Sequence, residues 1–160
     1  MKAVAIILVI VCLAAFAGVG YLYMSANLVV EACGVVAADA VDQPDYFASL
    51  QAGLEKGTFM GTRFVPDTPK NAEDCIFYTY TVRLKNNCFL PAEVVELQVT
   101  PRDGDMLQIG VQEEMSIPAR GTGELSATIL TKKGGRNVRE LKITCYFWGL
   151  PFTIRTAWGS

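Results

Sequence analysis

The 160-residue sequence contains no histidine. That absence removes the commonest general base, the usual zinc-binding nitrogen and the side chain that titrates near neutral pH. No two cysteines stand in C-x2-C spacing, so a zinc site lacks both its usual ligands and its usual pattern. No motif pairs a nucleophile with a base, and no glycine-rich loop follows a strand to cradle a phosphate. An excess of one charge is missing too. Fourteen Lys and Arg against 16 Asp and Glu leave a net charge of −2, scattered along the chain, which speaks against a large nucleic-acid footprint. These absences predict a protein that is not an enzyme and holds no cofactor or metal.

What is present begins with one apolar run. The hydrophobic fraction is 51%, and the stretch at 3–24, uncharged and dominated by Ala, Val, Ile and Leu, inflates it. About 20 such residues cross a bilayer as a helix. Lys2 precedes the run, the first charge after it is Glu31, and the first basic residue after it is Lys56. The positive-inside rule then predicts a cytoplasmic N-terminus, with everything beyond residue 26 outside the cell. Tyr21 and Tyr23 stand where an interfacial aromatic belt belongs. The sequence thus divides into a membrane anchor at 1–26 and one extracytoplasmic domain at 27–160. The competing reading is a signal peptide cut after Ala15, Phe16 and Ala17, releasing a secreted protein. Against it, the apolar run continues past that site behind a single Lys. A lipoprotein signal fails because Val11 precedes Cys12, and Ala32-Cys33 lies too far along behind Glu31. The layout resembles a type IV pilin but lacks the glutamate that follows that family's leader cut.

The domain is organised around the stretch at 76–85. Ile76, Tyr78, Tyr80, Val82 and Leu84 alternate with Phe77, Thr79, Thr81, Arg83 and Lys85, which predicts a half-buried central strand that Asn86 and Asn87 stop. Before it, 28–38 reads as an edge strand leaving the membrane. Pro44 and Asp45 open a helix at about 44–56 in which Phe47, Leu50 and Leu54 recur at helical spacing, and Gly57 closes it. The apolar stripe of this helix is expected to pack on the sheet. A short strand at 57–65 with Phe59 and Phe64 inward precedes a polar loop at 66–74. Beyond residue 75, turn signals recur between alternating runs: Val95, Leu97, Val99; Leu107, Ile109, Val111; Leu125, Ala127, Ile129; Leu141, Ile143, Cys145, Phe147; and Phe152, Ile154. The segment 116–121 reads as a loop, and 148–151 as a tight hairpin. With the stretch at 76–85 these make six strands, which, with no βαβ alternation, predict an antiparallel immunoglobulin-like β-sandwich. Its expected core is Tyr80, Val82, Leu84, Val99, Ile109, Ile129, Ile143 and Phe147.

A strand ending in Asn86 and Asn87, then Leu90-Pro91, then Ser116, Ile117 and Pro118 before another strand, resembles the late-embryogenesis-abundant type 2 domain over residues 75–130. The chain departs from that family's Asn-Pro step, having Asn87 and Cys88 there. The resemblance implies a seven-stranded sandwich, often tethered to a membrane, with a non-enzymatic role. The layout as a whole is also similar to small membrane-anchored proteins of Gram-positive gut bacteria.

Candidate chemistry is sparse. Cys12 lies in the apolar run, while Cys33, Cys75, Cys88 and Cys145 would face an oxidising compartment. Inward parity permits a Cys88–Cys145 disulfide, against the plainer reading of buried thiols packing as small hydrophobes. Asp103 and Asp105 flank a glycine near Glu113 and Glu114, which is either a calcium site or an Asx-type turn. Lys132, Lys133, Arg136, Arg139 and Lys142 form a basic cluster, either a solvated hairpin loop or a contact for anionic lipids or envelope polymers. Trp148, Phe152 and Trp158 are either a binding face or edge packing. The functional expectation is a membrane-tethered binding module for a protein or envelope partner. The alternative is a structural subunit of an envelope or secretion assembly.

Overall fold

The alternating stretch at 76–85 lies inside the second strand of a five-stranded sheet. The computed structural model describes residues 2–25, 27–110 and 115–159. Along them run helix α1 (Lys2–Ser25), strand β1 (Leu28–Asp39), helix α2 (Pro44–Lys56) and strands β2 (Gly61–Arg63), β3 (Cys75–Asn86) and β4 (Ala92–Val99). Then follow β5 (Asp105–Ile109), β6 (Met115–Ile117), β7 (Thr122–Lys132), β8 (Arg139–Phe147) and β9 (Leu150–Trp158). One sheet has the order β1-β3-β7-β5-β2 and the other β6-β4-β8-β9. Every pairing among the described residues is antiparallel. Strands β1, β3, β7 and β5 take the A, B, E and D places of an immunoglobulin sandwich, and β4, β8 and β9 take C, F and G. The predicted fold class is the observed one. The three-residue strands β2 and β6 are additions at sheet edges, and β6 occupies part of what the sequence reads as a loop.

Between the sheets, Tyr80, Val82 and Leu84 of β3 meet Leu97 and Val99 of β4, Ile129 of β7, and Ile143, Cys145 and Phe147 of β8. A second apolar cluster lies on the opposite face of the five-stranded sheet. There Phe47, Leu50 and Leu54 of α2 are buried with Cys75 and Phe77 of β3, Leu107 of β5 and Leu130 of β7. Pro44 at the first helical position, Asp45 in the first turn and Gly57 in the left-handed conformation (φ 71°) bound this helix. Thirteen residues form only a marginal helix alone, so its three buried side chains, at about 1.5–3 kcal/mol each, hold it in place.

This helix layer corrects two expectations. Phe77 stands on the face opposite Tyr78 and Tyr80 yet is buried, because α2 covers it. Ile109 is half-buried beside that second cluster rather than in the inter-sheet core. A register shift between Asp105 and Leu107 breaks the strand, and Gln108 faces β4 instead. Its amide donates to Leu97 O at 3.1 Å, and its oxygen accepts from Val99 N at 3.0 Å. Val111 lies outside the described residues. The other expected core residues are buried.

Helix α1 stands apart from this packing. All its described side chains are exposed, and Val4–Tyr21 is long and apolar enough to cross a membrane. The side chains of Lys2 and Tyr23 lie outside the described set.

Asn86 closes β3 with its side chain fully buried. Its Nδ2 donates to Leu90 O at 2.7 Å, with Pro118 O at 3.2 Å and Ile117 O at 3.3 Å also in reach, while Oδ1 accepts from Cys88 N at 2.9 Å. One amide therefore joins the end of β3, the 87–91 turn and the 117–118 loop. We expect Asn86→Ala to cost at least about 2 kcal/mol in denaturant melts, because it leaves buried carbonyls without a donor. Asn86→Asp should cost more at pH 7, where a carboxylate would face three carbonyl oxygens. Part of that excess should return at pH 4, when a protonated acid can donate. An Asp variant as stable as wild type at pH 7 would contradict this role.

Candidate functional site

Strand order gives the sandwich two distinct ends. At the first, which receives the chain from α1, lie the start of β1, the turn between β3 and β4, the loop between β6 and β7, and the β8–β9 hairpin. At the far end lie the starts of β3, β5 and β8 and the ends of β7 and β9.

A buried ion pair anchors the far end. Arg139 Nε donates to Asp105 Oδ2 at 2.8 Å and Nη2 to Oδ1 at 2.7 Å, with both side chains at 2% exposure or less. Oδ2 also accepts from Arg102 N at 2.8 Å. The remaining Nη1 donates to the carbonyls of Arg136 and Val138. The bond to Asp105 is the main reason the Arg139 guanidinium is held above its usual range. Beside it Tyr80 donates to Asn137 O at 2.5 Å, and burial pushes its phenol up to about 12.

This pair places inside the domain two residues that the sequence left in surface groups. Asp105 turns both carboxylate oxygens inward, onto Arg139 and the backbone N–H of Arg102, so it closes the 102–105 turn instead of facing a surface cation. Glu113 and Glu114 lie outside the described residues, and no cluster of three acidic, Cys or His ligands occurs among the described ones. Arg139 belongs to the interior and not to the basic cluster. Lys132, Lys133 and Arg136 are exposed at the far end, and Lys133 Nζ sits 3.3 Å from Asp39 Oδ2. Trp148 and Trp158 do not share a face. Phe147 pairs with Leu150 and Arg139 with Trp158, which puts the two indoles at opposite ends of β9, roughly 27 Å apart at strand spacing.

A concavity also opens at the far end. A cleft of about 840 Å³ lies between α2, the 65–71 segment and the ends of β3, β5 and β7. Gln51 of α2 forms part of its wall, donating through Nε2 to Pro69 O at 2.7 Å. Glu55, Asp67, Asp74, Lys70 and Lys132 line it alongside Val65, Met106 and the buried Cys75. Its volume is in the range of small-ligand sites, and its lining mixes both charges with apolar walls. At the other end, the 87–91 and 118–121 segments are bound together by Asn86 and by Arg120 N donating to Cys88 O at 3.1 Å. The Arg120 guanidinium lies 4.1 Å from the centre of the Phe89 ring.

No protein-family model and no curated protein sequence matches the chain. Among solved structures it is similar to the cupredoxin domain of amoB from Nitrosocaldus yellowstonii, with 10% identity and a TM-score of 0.37, over 84% of this chain and 88% of that one. A family 123 glycoside hydrolase from Clostridium perfringens shares 12% identity at a TM-score of 0.29, over 79% of this chain and 27% of that one. At these scores neither bears on what the chain binds.

Cys88 and Cys145 both reach the inter-sheet core, as free thiols. Burial pushes Cys145 up to about 11, and burial, then Asp74, raises Cys75. Native protein at pH 8 should therefore leave Cys75, Cys88 and Cys145 unalkylated, and denaturation without reductant should expose all three. A pair that stays blocked until reduced would restore the disulfide reading.

For the ion pair, Asp105→Ala or Arg139→Ala should each cost about 3–5 kcal/mol by leaving a buried charge alone. The double replacement Asp105→Leu with Arg139→Met should cost far less than the sum. Additive losses in thermal or chemical melts would show that the two side chains act independently.

Proposed function

We propose that this protein is a membrane-tethered extracytoplasmic recognition module that engages a protein or envelope partner through the far end of its sandwich. The observation that carries this reading is the polarity of the domain. The apolar helix joins one end, while the cleft and the exposed Lys132, Lys133 and Arg136 lie at the other. In this reading α1 is retained as a single span, with Lys2 on the cytoplasmic side. The tether then holds the cleft facing away from the bilayer, where a weak binder gains effective concentration from being confined to a surface. Glu55, Asp67 and Asp74 beside Lys70 and Lys132 suit a ligand carrying both charges or amide groups, such as a peptide segment or an amino-bearing polymer. No catalytic step is assigned to them.

A second reading, a structural subunit that self-associates, draws on two of the four sheet edges. Among the described residues, β1 and β9, twelve and nine residues long, each have a strand partner on one side only. Photo-crosslinking separates the two. A benzophenone side chain at Lys70 on the cleft, in the full-length protein in its own membrane, should capture a separate partner. The same probe at Thr153 on β9 should capture none. Adducts of dimer mass from Thr153, with none from Lys70, would favour the subunit and overturn the module. Protease added to intact cells should remove the domain while an uncleaved N-terminal fragment stays in the membrane; a protected domain or a mature N-terminus at Gly18 would overturn the topology.

A further inference from the structure

The end of the sandwich that joins α1 carries its own chemistry. Phe89 in the β3–β4 turn, with Trp148 and Leu150 in the β8–β9 hairpin, are large apolar side chains 47–60% exposed on loop tips at that end. Val29, exposed near the start of β1, lies at this end too, while Val36, Tyr46, Met60 and Trp158 lie elsewhere. Arg120 stands over Phe89 and is the basic side chain of the adjoining loop. The acidic residues at this end, Glu31, Glu93 and Glu124, lie on strands rather than on the loop tips, and Glu31 pairs with Lys85 at 3.6 Å. The backbone here is also unusual. Val94, Arg120 and Trp148 are the non-glycine residues with positive φ among those described, at 47°, 59° and 53°. All three belong to this end, and each conformation costs a bulky L-residue about 1–2 kcal/mol.

Chain length decides where these loops sit. The 24 residues of α1 rise about 36 Å, enough for the hydrocarbon core and part of the headgroup layer. Asn27 is already attached to the domain, its carbonyl accepting from Asn87 N at 2.9 Å, and Leu28 is buried in the sandwich. From Ser25 to Asn27 the chain can extend no more than about 7 Å. A domain joined that closely to a span cannot lift its first end clear of the headgroups. Aromatic side chains with one apolar and one polar aspect, and a cation beside them, are what that zone favours.

We propose that Phe89, Trp148 and Leu150 seat in the outer face of the membrane that α1 spans, with Arg120 at the depth of the lipid phosphates, so that the domain stands in one fixed orientation. The proposal rests on the reading of α1 as a retained span. It assigns the left-handed conformations of Arg120 and Trp148 to aiming these side chains at the lipid interface, and it makes the tether a rigid mount instead of a leash.

The two tryptophans supply the test, since the chain has only Trp148 and Trp158 and the sandwich puts them at opposite ends. The full-length protein, as Trp158→Phe and separately as Trp148→Phe, would be reconstituted into phosphatidylcholine–phosphatidylglycerol vesicles containing brominated acyl chains. Trp148 emission should be quenched several-fold more than Trp158 emission and should be blue-shifted. Phe89→Ser with Leu150→Ser, both on exposed tips, should bring Trp148 quenching down to the level of Trp158 while the protein still floats with the vesicles after alkaline extraction. Equal weak quenching of the two indoles in protein that floats would overturn the seating and leave the span intact. Stronger quenching of Trp158 would overturn the orientation. Protein extracted by alkali would overturn both the span and the seating.

Discussion

Everything in this domain depends on β3 being covered from both sides. Tyr80, Val82 and Leu84 face the second sheet, while Cys75 and Phe77, in the same strand, face α2. A sandwich of this size has one hydrophobic interior by default. Here the short α2 adds a second, smaller one over the half of the sheet nearest the far end. That cover does more than add burial. By lying across Phe77, Leu107 and Leu130, α2 forms one wall of the cleft, and Gln51 fastens the 66–71 segment as another part of it. The cleft therefore exists because the first sheet has a second apolar face to hide.

Polar side chains placed at inward positions fix the two ends. Asn86 continues the parity of Tyr80, Val82 and Leu84, and Arg139 begins the parity of Leu141, Ile143 and Cys145. Neither position can leave its groups unpaired without a cost of a few kcal/mol. Each is resolved by gathering loop backbone around it: Leu90, Ile117 and Pro118 around Asn86, and the 102–105 turn with Arg136 and Val138 around the Arg139–Asp105 pair. Gln108 acts similarly between the sheets, standing in for a strand neighbour at Leu97 and Val99. Hydrophobic burial gives the sandwich its stability, and these three polar groups set which loops meet.

This division explains what could be read from the sequence. Period-two alternation located the strands, and proline, aspartate and glycine signals located α2, because those are local properties of backbone and burial. Alternation cannot say which of two covered faces a residue meets, so Phe77 looked outward and Ile109 looked central. The pairing of Asp105 with Arg139 spans 34 residues, and local charge patterns instead placed each in a plausible surface cluster. A signal was available in both cases: a charged or amide side chain falling on the inward parity of an apolar strand. The cleft had no such trace, since its walls come from α2, one loop and three strands that only the tertiary fold brings together. Trp148 and Trp158 looked like neighbours because both flank the last hairpin. Strand geometry makes them opposite poles.

Those poles differ in kind. The end that receives the chain from α1 shows Phe89, Trp148 and Leu150 exposed, with Trp148 held in the left-handed region, and the far end shows Lys132, Lys133, Arg136 and a charged cleft. In a freely diffusing domain, exposed apolar tips are a liability for aggregation. They cease to be one if a bilayer is always within a few ångströms, which the short distance from Ser25 to Asn27 enforces for a retained span. If the three side chains seat as proposed, the same constraint fixes how the far end is presented, because a domain held there as well as at its tether has little freedom to tilt. A partner would then meet the cleft in a set orientation and at a set height above the membrane. Such pre-organisation reduces the orientational entropy lost on binding, which is how a shallow, mixed-charge cleft on a small sandwich can be selective without being deep.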